Sequence, residues 1–592
     1  MQMIDGLGTA RDVIPQPRAE TDRSAVRLDT FTRRKLLVIL VTFLVGLCAR
    51  VYRLDASGLA EDEANKVFAA RSYSHGDFTV NSEHPMLMKT LCFSSMTLCS
   101  AWNGAAGPRL GLVISEETAL RLPNAVIGAL TVVPLFLLAY ALFGFRVALI
   151  TAALWALGGN AIWFNRVTKE DTLLVFFMLT GYALYSSAKS HPPWDISGQE
   201  RLYGFAGIAF GLMLCSKYFP HYYGLLALFY HLAGHDRRDN RPLTRRITAI
   251  HVGALLITFL VFNFAILVPD TWSYLWKYVH ADLFTHHGYV VMNQLYPNDL
   301  ARTPSGSPWF FYWLYLLVKM PIPIIVAFSI GVVEVFGHRK SELAEKGFLF
   351  LRIMLVFWLF PMSFVRVKFL RYTLALIPFV YMTAAVGAVT VWRIGLNAIK
   401  TMRPVLRDLG YGQRVPYRLI SSLPAVVVLA VFVFLPAVTT VVHLPYPALY
   451  TNTFGSCRVG YFFPHDEFYD LGARESIKYI AEQAPAGAVV ATEVPAVLEY
   501  YLEKYGRTDI RSEIMSHPRF DLKASPPDYV LIQPGRVYYE NQKDIERIES
   551  DFDLAQSTEY RGAVATSVYR TNQPRPGGPL PQVDAAPRGP AK

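Results

Sequence analysis

Apolar runs of membrane length recur between residues 36 and 443, and nothing else about this 592-residue chain limits its fold so severely. A bilayer core about 30 Å thick is crossed by roughly 20 apolar residues in a helix. The runs read as spans at about 36–53, 121–144, 146–164, 172–188, 203–217, 219–234, 247–269, 309–336, 348–364, 373–392 and 418–443. That gives about eleven spans, with 84–104 taken as a helix lying at the interface rather than crossing. Only 17% of residues are charged, against about 25% in soluble proteins. The net charge of +11 therefore belongs to membrane topology and not to nucleic-acid binding, because basic residues collect in cytoplasmic loops.

Orientation follows from that bias. With the N-terminus inside, the inside loops include 235–246, with Arg237, Arg238, Arg241, Arg245 and Arg246, and 393–417, with Arg393, Lys400, Arg403, Arg407 and Arg414. The outside loop 270–308 has only Lys277 and Arg302. Counting 84–104 as a crossing would invert every later loop. An odd number of spans leaves the C-terminal part outside, where 470–570 has a soluble α/β pattern. Helices are expected at Ala473–Ala484, Pro495–Tyr505 and Gln542–Ser550, and strands at Ala488–Thr492, Asp528–Gln533 and Tyr560–Tyr569. The expected fold is an all-α polytopic membrane protein with a small extracytoplasmic α/β domain. Its parts are a disordered cytoplasmic N-terminus (1–34) without a cleavable signal, a transmembrane domain (35–443) with a long first outside loop (54–119), the α/β domain (444–570) and a disordered tail (571–592). Of five cysteines, Cys48, Cys92, Cys99 and Cys215 lie in apolar segments and Cys457 stands apart, so no metal or disulfide framework is expected.

Given this topology, the polar residues gather on one face. The first loop supplies Glu61, Asp62, Glu63, His84 and Lys89. The second supplies Arg166, Lys169, Glu170 and Asp171, the third Lys217, the fourth His286 and His287, and the fifth Arg366, Lys368 and Arg371. Ion pairing at helix ends explains any one of these. Convergence from five loops fits a site for an anionic, lipid-borne substrate better. A carboxylate can take the proton of an acceptor hydroxyl, Lys and Arg can hold a lipid phosphate as it leaves, and carboxylates with a His could hold a divalent metal.

The motifs resemble those of GT-C fold membrane glycosyltransferases, in the branch of protein O-mannosyltransferases and lipid A aminoarabinose transferases. Asp62-Glu63-Ala64 is similar to the family's first-loop Asp-Glu. His84-Pro85-Met86-Leu87-Met88-Lys89 resembles its His-Pro-Pro-Leu-x-Lys, with Met86 in place of the second proline. Leu120-Arg121-Leu122-Pro123, Asn165-Arg166 through Asp171-Thr172-Leu173, Ser307-Pro308-Trp309-Phe310-Phe311-Tyr312 and Lys368-Phe369-Leu370-Arg371-Tyr372 follow in the family's order.

The resemblance implies a transferase moving a monosaccharide from a polyprenyl-phosphate donor to a hydroxyl acceptor, with inversion, at the outer face of a plasma (bacterial inner) membrane. Asp62 would be the general base, with Glu63 orienting the acceptor or the base. Arg166 would bind the donor phosphate, with Lys89, Lys217, Lys368 and Arg371 as further phosphate ligands. Glu170, Asp171, His84 and His286 would support the site or hold an optional divalent metal. Two other classes compete. A flippase for an anionic lipid would place charges deep within spans or break helices in paired positions. A membrane-anchored receptor would place its binding site in the C-terminal domain.

Overall fold

The computed structural model describes residues 21–192, 194–233, 243–277, 288–298, 306–337, 342–408 and 417–571. Helix α1 spans Thr21–Val51. The polar stretch 21–34, expected to be disordered, is therefore helical. It contains no proline to stop a helix, and the helix begins before the apolar run does. In the first loop, α2 spans Glu61–Tyr73, and α3 (Met86–Gly104) is helical where 84–104 was expected to be. The bundle continues through α4 (Glu116–Leu130), α5 (Val132–Phe143), α6 (Phe145–Leu157), α7 (Gly159–Asn165), α8 (Glu170–Ser190), α9 (Ile196–Ser216), α10 (His221–Ala233), α11 (Arg245–Phe262) and α12 (Pro269–Lys277). A short ribbon, β1 (Tyr289–Val291) with β2 (Gln294–Tyr296), follows. Then come α13 (Phe311–Lys319), α14 (Ile322–Phe336), α15 (Glu342–Leu359), α16 (Ile377–Asp408), α17 (Tyr417–Leu429) and α18 (Leu435–His443).

Among the described residues, five helical stretches are long and apolar enough to cross a membrane: Glu116–Phe143, Arg245–Phe262, Glu345–Phe364, Ile377–Pro404 and Ile420–His443. The pair α6–α7, bent by 54° at Gly158, would be a sixth. The other expected spans are helical in place but do not reach that length and apolarity. Nor does α3. Where α14 meets α16 the backbones touch: a Cβ on Gly331 would sit 1.9 Å from the Thr383 carbonyl oxygen, and one on Gly387 2.0 Å from that of Ala327. Small residues allow this approach where the hydrophobic effect does not drive helices together. Residues 235–242 of the basic loop and 572–592 of the tail lie outside the described residues.

Beyond α18 the chain forms α19 (Pro464–Phe468), α20 (Ala473–Gln483), β3 (Val489–Ala491), α21 (Pro495–Lys504), β4 (Arg511–Glu513), β5 (Tyr529–Ile532), α22 (Gln542–Asp551), β6 (Asp553–Tyr560) and β7 (Ala563–Arg570). The five-stranded sheet has the order β4-β3-β5-β7-β6, parallel through the first three strands and antiparallel for the last two pairings. The single strand expected at Tyr560–Tyr569 is instead the end of one strand and most of the next. Arg561 (φ 52°) and Gly562 (φ 75°) form the left-handed two-residue turn between them.

This region is joined to the first loop by a shared core. Leu59, Ala64, Val67, Leu87 and Met88 pack with Ile477, Val490, Val497 and Tyr501. Polar contacts fasten the same seam. The Leu59 N–H donates to the Tyr501 hydroxyl at 2.8 Å, Tyr500 donates to Glu116 at 2.6 Å, and Lys504 pairs with Glu117 at 2.9 Å. The seam fixes α2 against the C-terminal region, and the candidate site lies along it.

Candidate active site

Three carboxylates open α2, and helical geometry sends successive side chains about 100° apart. Glu61 turns to the C-terminal region and meets Arg536 at 2.7 Å. Asp62 faces a cavity. Glu63 turns inward, fully buried, and pairs with Arg121 through Oε1 at 2.8 Å and Oε2 at 2.5 Å. Glu63 also accepts from the backbone N–H groups of Thr168 (2.8 Å) and Ala60 (3.1 Å). Burial alone would raise the Glu63 carboxyl. Arg121 and the two N–H donors outweigh it and hold the group below the usual range. With four donors on its two oxygens, Glu63 ties α2 to α4 and to the loop before α8.

Asp62 is different. Its side chain is 30% exposed. Oδ1 lies 2.6 Å from Lys169 Nζ, and Oδ2 accepts from the Tyr469 hydroxyl at 2.8 Å. The Arg371 guanidinium stands 3.8 Å from Oδ2. Burial favours the neutral acid, but Lys169, Arg371 and Lys66 together hold Asp62 well below the ordinary carboxylate range. Arg371 lies over the Phe369 ring, 4.1 Å from its centroid, and among the described residues its buried Nε has no hydrogen-bond partner.

Asp62 and Arg371 share the walls of a solvent-connected cavity of about 170 Å³. The opposite wall comes from the C-terminal region, through His465, Tyr469, Asp470, Arg536 and Tyr538. Glu61 on this wall is raised, by burial and by Asp470 and Asp62, against the pull of Arg536. Sequence reasoning missed these five residues. The one available signal was the acidic and aromatic run Pro464-His465-Asp466-Glu467-Phe468-Tyr469-Asp470 soon after the last apolar stretch.

Beneath Asp62 lies a buried layer of ion pairs. Lys66 meets Glu170 at 2.9 Å, Lys169 approaches Glu170 at 3.9 Å, and Lys217 meets Asp171 at 2.9 Å. His84, partly buried beside this layer, is pushed down to about 3 by desolvation, against the pull of Glu170. The carboxylates expected to hold an optional metal thus face ammonium groups. Among the described residues no three His, Cys, Asp or Glu side chains form a metal-holding group. Glu170 and Asp171, each paired with a lysine, therefore do not fit a divalent ion. His286 lies outside the described residues.

Three expected phosphate ligands are directed elsewhere. Arg166 donates to the carbonyls of Arg50 (2.9 Å), Tyr52 (2.7 Å) and Arg53 (2.9 Å), capping the C-terminal end of α1. Lys89 donates to the carbonyls of Asn81 (2.7 Å) and His84 (3.0 Å), and Lys368 to that of Ser307 (2.8 Å). Burial lowers both lysines to about 8. Of the expected cations, Arg371 is the one that lines the cavity with Asp62.

Residues 101–266 match the family model described as dolichyl-phosphate-mannose-protein mannosyltransferase. The matched stretch includes Arg166, Glu170, Asp171 and Lys217 but neither Asp62 nor Arg371. No curated protein sequence matches the chain. Among solved structures, ArnT from Cupriavidus metallidurans in the apo state aligns with a TM-score of 0.48 and 15% identity, covering 91% of this chain and 98% of ArnT. The same protein bound to undecaprenyl phosphate gives 0.45 and 14%, with the same coverage. The Archaeoglobus fulgidus oligosaccharyltransferase gives 0.46 and 14%, covering 81% of this chain and 64% of its own.

Proposed function

We propose that this protein is a membrane glycosyltransferase that moves a monosaccharide from a polyprenyl-phosphate donor to a hydroxyl acceptor at the extracytoplasmic face, with inversion. The observation that carries this reading is the shared cavity. Asp62 and Arg371 line it side by side, 3.8 Å apart, and among the described residues the Arg371 Nε has no hydrogen-bond partner. The family match over residues 101–266 supports the choice of donor. Eleven spans with the N-terminus inside would place the cavity outside, as the basic inner loops favour.

In this reaction the acceptor oxygen bonds to the anomeric carbon as the bond from that carbon to the phosphate oxygen breaks. Asp62 takes the acceptor proton, and Arg371 holds the phosphate as its charge grows. The resting state makes Asp62 a weak base, because Lys169 and Arg371 stabilise its charge. A bound phosphate reverses that balance: a second anion beside Asp62 raises its affinity for a proton. The base therefore gains strength when the donor is present. Lys169 keeps the carboxylate oriented, and Lys66, Glu170, Lys217 and Asp171 hold the layer beneath it rigid.

The test is transfer from radiolabelled polyprenyl-phosphate sugars in membranes containing wild type, Asp62→Asn or Arg371→Gln. Transfer by wild type alone is the expected result. An Asp62→Asn variant as active as wild type would refute the assigned base.

A further inference from the structure

The turn after α19 is built in an unfavourable backbone conformation. Tyr469 (φ 47°) and Asp470 (φ 61°) are consecutive non-glycine residues in the left-handed region, which side chains bearing a Cβ seldom adopt. Such a turn persists only where its surroundings fix it, and here they do. Asp470 Oδ2 accepts from the Glu61 N–H at 2.9 Å and from Arg536 at 2.7 Å. Its Oδ1 accepts from Arg536 Nε at 3.0 Å and from Gln533 at 3.2 Å. Asp470 thus caps the first turn of α2 from the far end of the chain. The result is that the Tyr469 hydroxyl lands on Asp62 Oδ2, the carboxylate oxygen nearer Arg371.

That placement decides what Arg371 can do. Its NH1 is 3.8 Å from Oδ2, roughly 1 Å beyond charge-assisted hydrogen-bond length. A small rotation of Asp62 would close the gap. The base and the guanidinium would then satisfy each other, and neither would be available to substrate. The Tyr469 hydroxyl occupies Oδ2, Lys169 occupies Oδ1, and Phe369 holds the Arg371 plane on the other side.

We propose that Tyr469 is a positioning residue that keeps Asp62 from collapsing onto Arg371, so that the guanidinium stays available for the donor phosphate. This rests on the transferase reading above. It makes the C-terminal region a working wall of the site and not an appended module.

The test is binding of farnesyl monophosphate, with farnesol as the control for the lipid tail, to the full-length protein in detergent. Tyr469→Phe removes one oxygen and keeps the ring. It is expected to weaken farnesyl monophosphate about tenfold, the size of one charge-assisted hydrogen bond, and to leave farnesol unchanged. Adding Asp62→Asn removes the charge that captures Arg371, and the double variant is expected to recover binding to within about twofold of wild type. A variant that had merely unfolded would show no such rescue. Tyr469→Phe binding as tightly as wild type, while Arg371→Gln weakens binding, would overturn the proposal and leave the transferase reading intact. So would a double variant as weak as Tyr469→Phe. Wild type that distinguishes farnesyl monophosphate from farnesol no better than Arg371→Gln does would remove the phosphate site itself, and both readings with it.

Discussion

Asp62 and Glu63 are adjacent carboxylates with opposite expected phenotypes, and Glu63→Gln separates them. In the native protein the Glu63 charge is fully buried against Arg121, with 2.5 and 2.8 Å contacts, and two backbone donors complete its shell. Glutamine keeps the shape, removes the charge and turns an N–H₂ group toward Arg121 or a backbone donor. Removing one member of a buried ion pair costs about 3–5 kcal/mol, because the other charge stays buried without compensation. Arg121 keeps its bonds to the carbonyls of Leu54 (2.7 Å) and Gly58 (2.6 Å), which places the expected loss at the lower end, about 3 kcal/mol. The assay heats detergent-solubilised protein and measures the surviving monodisperse fraction, with sugar transfer measured in parallel at low temperature. Glu63→Gln should melt several degrees lower yet transfer sugar at a rate near wild type while folded. Asp62→Asn should melt near wild type and transfer nothing. If Glu63→Gln melts like wild type but has lost transfer, Glu63 belongs to the chemistry and the assignment from burial is wrong. The pair also has a pH signature. The depressed Glu63 carboxyl contributes stability above its unfolded value of about 4.3, and that contribution is lost as pH falls through the folded value.

Two further outcomes follow from buried groups. Arg166→Gln should lower stability by about 2 kcal/mol by uncapping α1 and leave farnesyl monophosphate affinity unchanged, since the guanidinium is bonded to backbone carbonyls; a weaker affinity would return Arg166 to the phosphate site. Glu493 is pushed up to about 7 by burial, against donors from Ser516 and Asn541. Its folded value lies above its unfolded one, so stability should fall as pH rises from about 4.3 to 7. Glu493→Gln should flatten that slope in a thermal-shift series across those pH values, and an unchanged slope would count against the assignment.

The sequence exposed the first loop well, because its signals are local. Three acids at the start of a helical period mark α2, and the His84-to-Lys89 motif marks the approach to α3. Cations were harder to read. Arg166 and Arg371 look alike in sequence, each an arginine in a short loop between apolar runs. What separates them is where their donors point. Arg166 meets backbone carbonyls at the end of α1, more than a hundred residues earlier in the chain, whereas Arg371 stacks on Phe369 and its Nε has no hydrogen-bond partner among the described residues. No pattern along the chain encodes that difference. The contribution of Tyr469 and Arg536 was equally hidden, because it depends on the turn after α19 docking on the first turn of α2 through Asp470. The β6–β7 hairpin was blurred for another reason: no residue of β6 is buried, so the strand lacks an apolar face to mark it.

The capping of α2 by Asp470 also orders events in time. The acceptor carboxylate comes 409 positions after the amide it caps. At about 5–20 residues per second, the ribosome delivers it roughly 20–80 s after Glu61. Throughout that interval the acids of the first loop are already made while the turn that aims Asp62 is not. A nascent chain threading into the membrane therefore carries Asp62 before the turn that positions it, and on the proposed transferase reading no sugar transfer is expected until Asp470 has been made.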